Sequence, residues 1–157
     1  MKRCGLLFLV SSLLALGAAY VAEMFFGLVP CKLCLYERVP YFVVILPAVL
    51  MIARGYGKMF YVAVACYVVG VTISGYHAGL EYGWFTDILQ CAGDLASSGA
   101  SFTDLKAALL SKVTVVSCSV PSFVFMGISL SGWNAIYLVV CLIWAFILRK
   151  RWLQSTE

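Results

Sequence analysis

Charge is scarce in this sequence: Asp, Glu, Lys and Arg make up only 11% of its 157 residues, and there is one histidine. A soluble domain is about a quarter charged and nearer half apolar, whereas 64% of this chain is hydrophobic. Its mean hydropathy is +1.01. A chain this short leaves much of its surface facing solvent whatever its fold, so a soluble fold has nowhere to hide that much apolar area. The same shortage excludes a disordered chain, a coiled coil and a nucleic-acid-binding protein, all of which depend on charge. Internal repeats and a second domain are also missing, and the apolar runs lack the alternation of a membrane barrel wall. An integral membrane protein remains, read as a single domain over residues 1–157.

A membrane-crossing helix needs about 20 mostly apolar residues. Four stretches qualify, at about 5–26, 34–53, 59–76 and 127–148. Lys2 and Arg3, followed by an apolar run and the small residues Gly17-Ala18-Ala19, also outline a signal peptide. The run continues to Phe26, long enough to span, so it reads as a retained helix. Lys2, Arg3, Arg54, Lys58, Arg149, Lys150 and Arg151 then share one side, opposed by Glu157. That bias places both termini in the cytoplasm. Two loops face outward, at about 27–33 and 79–126, and in the longer one Thr103 begins a short amphipathic helix. Leu105, Ala108 and Leu109 share its apolar face, so it is expected to lie on the bilayer surface. The expected fold is all-α: a membrane four-helix bundle with one long outer loop.

The seven cysteines divide by side. Cys4, Cys66 and Cys141 fall in or beside the spans, where cysteine acts as a small apolar residue. Cys31, Cys34, Cys91 and Cys118 all fall on the outer side. In an oxidising compartment such thiols pair and stay paired. Four cysteines allow three pairings and the sequence alone does not choose, although proximity favours 31 with 34 and 91 with 118. Pro30-Cys31-Lys32-Leu33-Cys34 is the most informative stretch. A Cys-x-x-Cys opening a helix puts a thiol beside the positive helix end, which favours the thiolate. Arg38 follows Cys34 by four residues and adds a fixed positive charge on the same face.

Other uses of that motif fit less well. A c-type haem site wants His after Cys34, and Leu35 is there. A structural zinc site would take Cys91 and Cys118 as further ligands, yet zinc has no use for an arginine beside its thiolates, so no metal is expected. A transporter or metal carrier would need a polar path, and the spans offer only Glu23, His77 and Asn134. A structural staple, making the chain a disulfide-bonded membrane scaffold, is the alternative to a redox-active pair.

His77, at the outer end of the third span, is a functional candidate because burying an ionisable group is costly. Glu23 reads as a snorkelling or hydrogen-bonded carboxylate, and Asn134 as an interhelical hydrogen-bonder. Gly70 with Ser74, and Gly127 with Ser131, read as small residues that let helices approach. Trp84, Trp133 and Trp152 read as interface anchors.

Taken together, PCKLCLYER over Pro30–Arg38, the four-span layout and two later loop cysteines resemble the DsbB family. Tyr76-His77-Ala78-Gly79 with Glu81, and Gly127 to Asn134, are similar to stretches of that family as well. The family implies a bacterial inner-membrane enzyme that reoxidises a periplasmic DsbA-like thiol oxidase and passes electrons to quinone, ubiquinone or menaquinone. It implies that Cys34 meets the quinone, that Cys31 exchanges with the loop pair, and that Cys91 forms the mixed disulfide resolved by Cys118. Arg38 and His77 would then stand beside the quinone, with lipid as the surrounding medium and the long loop in the periplasm. Vitamin K epoxide reductase shares the four-helix bundle, the Cys-x-x-Cys and the quinone, but places its active pair after the loop cysteines. Two departures stand out: Ser119-Val120-Pro121 follows Cys118 where the family often has acidic or tryptophan residues, and Glu37 replaces a frequent glutamine and reads as a tolerated variant.

Overall fold

A computed structural model describes residues 1–85, 118–119, 121 and 123–154. Cys91 and the expected surface helix after Thr103 lie outside the described residues. Four helices carry the fold: α1 (Lys2–Phe26), α2 (Lys32–Arg54), α3 (Met59–Glu81) and α4 (Leu130–Gln154), with strands β1 (Val124–Phe125) and β2 (Ile128–Ser129) before α4. All four are long and apolar enough to cross a membrane.

The ends of these helices follow from local chemistry. Gly27, at φ 62°, closes α1 by bonding its N–H to the Ala22 carbonyl. No residue other than glycine takes that left-handed conformation without penalty. α2 opens on Cys31, whose sulfur accepts the Cys34 N–H at 3.3 Å, so the first cysteine of the motif is also the helix cap. α3 runs past Tyr76 to Glu81. His77 is polar but buried against partners on α2, so the helix does not have to end where hydropathy falls.

The start of α4 corrects the sequence reading. Gly127 is not a helix-packing residue: with Met126 (φ 53°) and Gly127 (φ 79°), it forms the two-residue turn between β1 and β2. Positive φ at both central residues is the type I′ geometry that suits the twist of a hairpin. Tyr82, just beyond α3, clamps this hairpin: its hydroxyl donates to the Gly127 carbonyl at 3.0 Å and accepts the Ser129 N–H at 3.1 Å. Trp133 Nε1 donates to the Phe125 carbonyl from the other side.

In the bundle, α1 packs on α2, α2 on α3 and α3 on α4, and α4 returns against α1. Phe8, Tyr41, Phe60, Tyr67 and Leu138 form its middle. Tyr67 carries a hydroxyl into that core, shared with Ser11 at 2.7 Å and Ser12 at 3.0 Å. A Cβ on Gly5 would lie 2.8 Å from the Ala48 carbonyl, so glycine sets the closeness of α1 and α2. Gly70 does the same for α3 and α4 at Leu138. Large apolar side chains such as Leu14, Leu46 and Trp144 face outward, the arrangement expected where lipid is the solvent. Lys2, Lys58 and Arg149 gather at one end of the bundle, and Cys31, His77 and Ser131 lie at the other.

Candidate active site

At the start of α2 the Cys31 thiol donates to the Cys34 sulfur across 3.0 Å. That bond, and then burial, push the Cys31 thiol up to about 12. The pair is therefore unequal: Cys31 keeps its proton, and Cys34 accepts hydrogen bonds at the positive end of α2. Cys31 is buried whereas Cys34 is half-buried and reaches the wall of a cavity.

His77, carried to this end by the extra turn of α3, faces the pair. Its Nε2 lies 3.6 Å from the Cys31 sulfur and its Nδ1 lies 2.6 Å from Glu37 Oε1. Since a carboxylate only accepts, Nδ1 holds a proton and the ring is fixed with Nε2 towards sulfur. Glu37 is itself held: its Oε2 accepts from Asn134 Nδ2 at 2.8 Å. Asn134 also donates to Ser74 at 2.8 Å and accepts from Tyr41 at 2.5 Å, which ties α2, α3 and α4 together. The expectation of an interhelical Asn134 bond is met. Glu81 Oε1 stands 3.8 Å from His77 Nε2, and Glu81 Oε2 accepts from Ser131.

Arg38 shares the cavity wall with Cys34, as their four-residue spacing predicts. Its Nη2 donates to Glu23 Oε1 at 2.6 Å, and its guanidinium lies over the Tyr20 ring, 5.2 Å from the centroid. Glu23 is thus the counter-ion of Arg38. The cavity has a volume of about 530 Å³ and lies among α1, α2 and α4. Its walls are mostly apolar, with Cys34, Arg38, Glu37, His77 and Glu81 among the polar lining residues.

The structure also brings in a cysteine distant in sequence. Cys118 is buried in one cluster with Cys31, Leu33 and Leu80, and Cys34 and Tyr76 pack against it. Of the expected redox cysteines, Cys31, Cys34 and Cys118 meet here, and Cys91 lies outside the described residues. The sulfurs of Cys31 and Cys34 and a ring nitrogen of His77 all lie within 4.8 Å of one another, so the same atoms make a possible metal donor set.

Glu37 is the residue that sequence reasoning passed over. It is not a neutral variant: it is buried and orients the histidine. The signal was present, because a carboxylate one turn after Cys34 inside an apolar helix is a functional candidate on the same grounds as His77.

Three similarities to known proteins accompany this geometry. The family model described as "Disulfide bond formation protein DsbB" matches residues 1–148. A protein of Rickettsia prowazekii (strain Madrid E), named as uncharacterised, is 30% identical over 145 residues, covering 90% of this chain and 83% of its own. A protein of Aromatoleum aromaticum named "Disulfide bond formation protein B" is 24% identical over 142 residues, covering 87% of this chain and 86% of its own.

Proposed function

The chain belongs to the DsbB family, and on that premise we propose that it is a membrane thiol oxidase of the bacterial inner membrane. It forms disulfides in a DsbA-like periplasmic partner and delivers the electrons to a quinone. The observation that carries this reading is a single wall: Cys34, bonded to the buried Cys31, opens onto an apolar cavity beside Arg38, with Cys118 in the same buried cluster as Cys31. A staple would need no cavity and no cation at its sulfurs.

Each exchange step is attack by a thiolate on a disulfide. A partner thiolate attacks Cys91 of the loop disulfide and releases Cys118. The partner's second thiolate then completes its own disulfide and frees Cys91. One loop thiolate in turn attacks Cys31 and Cys34 leaves as the thiolate; the second loop thiolate then displaces Cys31 and restores the loop disulfide. Cys34 is suited to leaving, since it accepts the Cys31 thiol and sits at the N-terminal end of α2. The place of Cys118 in one buried cluster with Cys31 supports that order of exchange. A bound quinone supplies a sink for two electrons and two protons. Cys34, Arg38 and His77 would hold it, and His77, oriented by Glu37 at Nδ1, turns Nε2 to the sulfurs as a site that can take up a proton.

The basic end of the bundle supports cytoplasmic termini, and cysteines at the opposite end are consistent with a periplasmic site. Quinone reduction by the purified protein, followed by absorbance after adding a reduced DsbA-like dithiol protein, tests the scheme. Wild type turns over and Cys34→Ser does not, while the loop pair of the variant still captures the partner. Full turnover by Cys34→Ser overturns the electron path. Absence of turnover in wild type with every candidate cysteine oxidised favours a disulfide-stapled scaffold.

A further inference from the structure

The donor set at the head of α2 has a use that electron transfer does not require. We propose that the reduced form of this site binds one zinc ion through Cys31, Cys34 and His77, and that the bound ion takes the pair out of exchange. Binding rests on the geometry alone; the arrest of exchange rests on the thiol-oxidase reading above.

Zinc favours four tetrahedral ligands drawn from thiolate and imidazole. With Zn–S near 2.3 Å and Zn–N near 2.0 Å, such a centre holds sulfur and nitrogen about 3.5 Å apart and two sulfurs about 3.8 Å apart. The Cys31 sulfur and His77 Nε2 are already 3.6 Å apart. The two sulfurs are 3.0 Å apart and need to open by less than about 1 Å. Glu81 Oε1 stands 3.8 Å from His77 Nε2 but is not one of the donors that lie mutually within 4.8 Å, so three protein ligands leave the fourth position to water.

The surroundings of His77 favour a metal as well. A metal-bound histidine nearly always donates its other ring nitrogen to a carboxylate or carbonyl, which fixes the tautomer and aims the ring. Glu37 does this at Nδ1, and Asn134 holds Glu37 in turn. The sequence argument against zinc was the arginine beside the thiolates. That charge is taken up by Glu23 at 2.6 Å, so it does not oppose a cation at the sulfurs. Cys34, His77 and Glu81 all line the cavity, which gives the ion a route in.

The chemistry balances without an electron. Two thiols lose two protons, two Zn–S bonds and one Zn–N bond form, and zinc keeps its oxidation state. A disulfide offers no thiolate, so the oxidised protein does not bind. The site is therefore gated by its own redox state: zinc holds the dithiol only in the interval before it is reoxidised.

The test uses the full chain in detergent, reduced and then freed of reductant, with Cys91→Ser and Cys118→Ser to remove competing loop thiols. Zinc is titrated against a chromophoric chelator, and cadmium reports thiolate ligation by its ultraviolet charge-transfer band. The expected result is one equivalent bound, an X-ray absorption signature of two sulfurs and one nitrogen, and no binding after oxidation. Glu37→Gln weakens binding about tenfold to hundredfold, as loss of an orienting carboxylate does. His77→Ala weakens it further, with circular dichroism confirming the helical fold. Binding that survives oxidation, or is unchanged in both His77→Ala and Glu37→Gln, overturns the site. A wild-type protein that turns over quinone but binds no zinc when reduced overturns only the metal proposal. One that binds zinc but never reduces quinone overturns the oxidase reading, and the arrest of exchange with it, and leaves the metal site standing.

Discussion

Asn134 shows how much one side chain decides in this bundle. Its amide meets Glu37, Ser74 and Tyr41, residues of two other helices, at 2.5–2.8 Å. Replacing it with leucine keeps the volume but leaves Glu37 Oε2 and the Tyr41 hydroxyl buried without their partner. An unsatisfied buried group costs about 1–3 kcal/mol, more when charged. Asn134→Leu is thus expected to lower stability by about that amount in mixed-micelle unfolding, and Asn134→Asp to lower it less at a pH where the new carboxyl is protonated. Equal stability of Asn134→Leu and wild type would mean the network holds no weight. At this scale the sequence was uneven. The Cys-x-x-Cys and Arg38 were legible because they are close in the chain, and the four-residue spacing does place Cys34 and Arg38 on one wall. The pairing of His77 with Glu37 was not, because it joins α3 to α2 through a contact that no local pattern encodes.

Among the elements, the two close approaches behave differently. Gly5 faces the Ala48 carbonyl, and a side chain there meets backbone as well as Ile52 and Met51. Backbone cannot turn aside as a rotamer can, so Gly5→Val separates α1 from α2 or strains both. The expected loss is about 1–3 kcal/mol, read by the same unfolding assay, and Gly17→Ala is the control because nothing lies near its Cβ. A Gly5→Val protein as stable as Gly17→Ala would show that the helices are not held at this distance. Length and hydropathy made the helices legible, since four apolar runs of span length leave few alternatives. Their ends were less so. α3 continues to Glu81 and α4 starts only at Leu130 because buried partners and the Met126-Gly127 turn, not hydropathy, place those boundaries.

For the whole molecule, the question is which way the bundle lies in the membrane. Lys2, Lys58 and Arg149 share a pocket at one end, where Arg149 also stacks over Phe60 and Tyr61 and donates to the Tyr61 hydroxyl. Basic residues in short loops are retained on the cytoplasmic side. Alkaline phosphatase, whose disulfides form only in an oxidising compartment, is therefore expected to be active when fused after Ser101 and inactive when fused after Gly57. The reverse pattern would turn the molecule over and put the cysteines in the cytoplasm, where no thiol oxidase would be retained in its oxidised form.

Composition and spacing by themselves determined that this is a membrane chain of four helices with a cysteine pair at a helix start. Those features depend on solvent transfer and on helix geometry, which act residue by residue along the chain. Only the tertiary structure decided that Cys118 joins the buried cluster of Cys31, that Glu23 neutralises Arg38, and that Glu37 aims His77 at the sulfurs. Each of these joins residues from different elements. Burial makes such contacts strong by removing the competing water, and which residues are buried together is known only once the helices have packed.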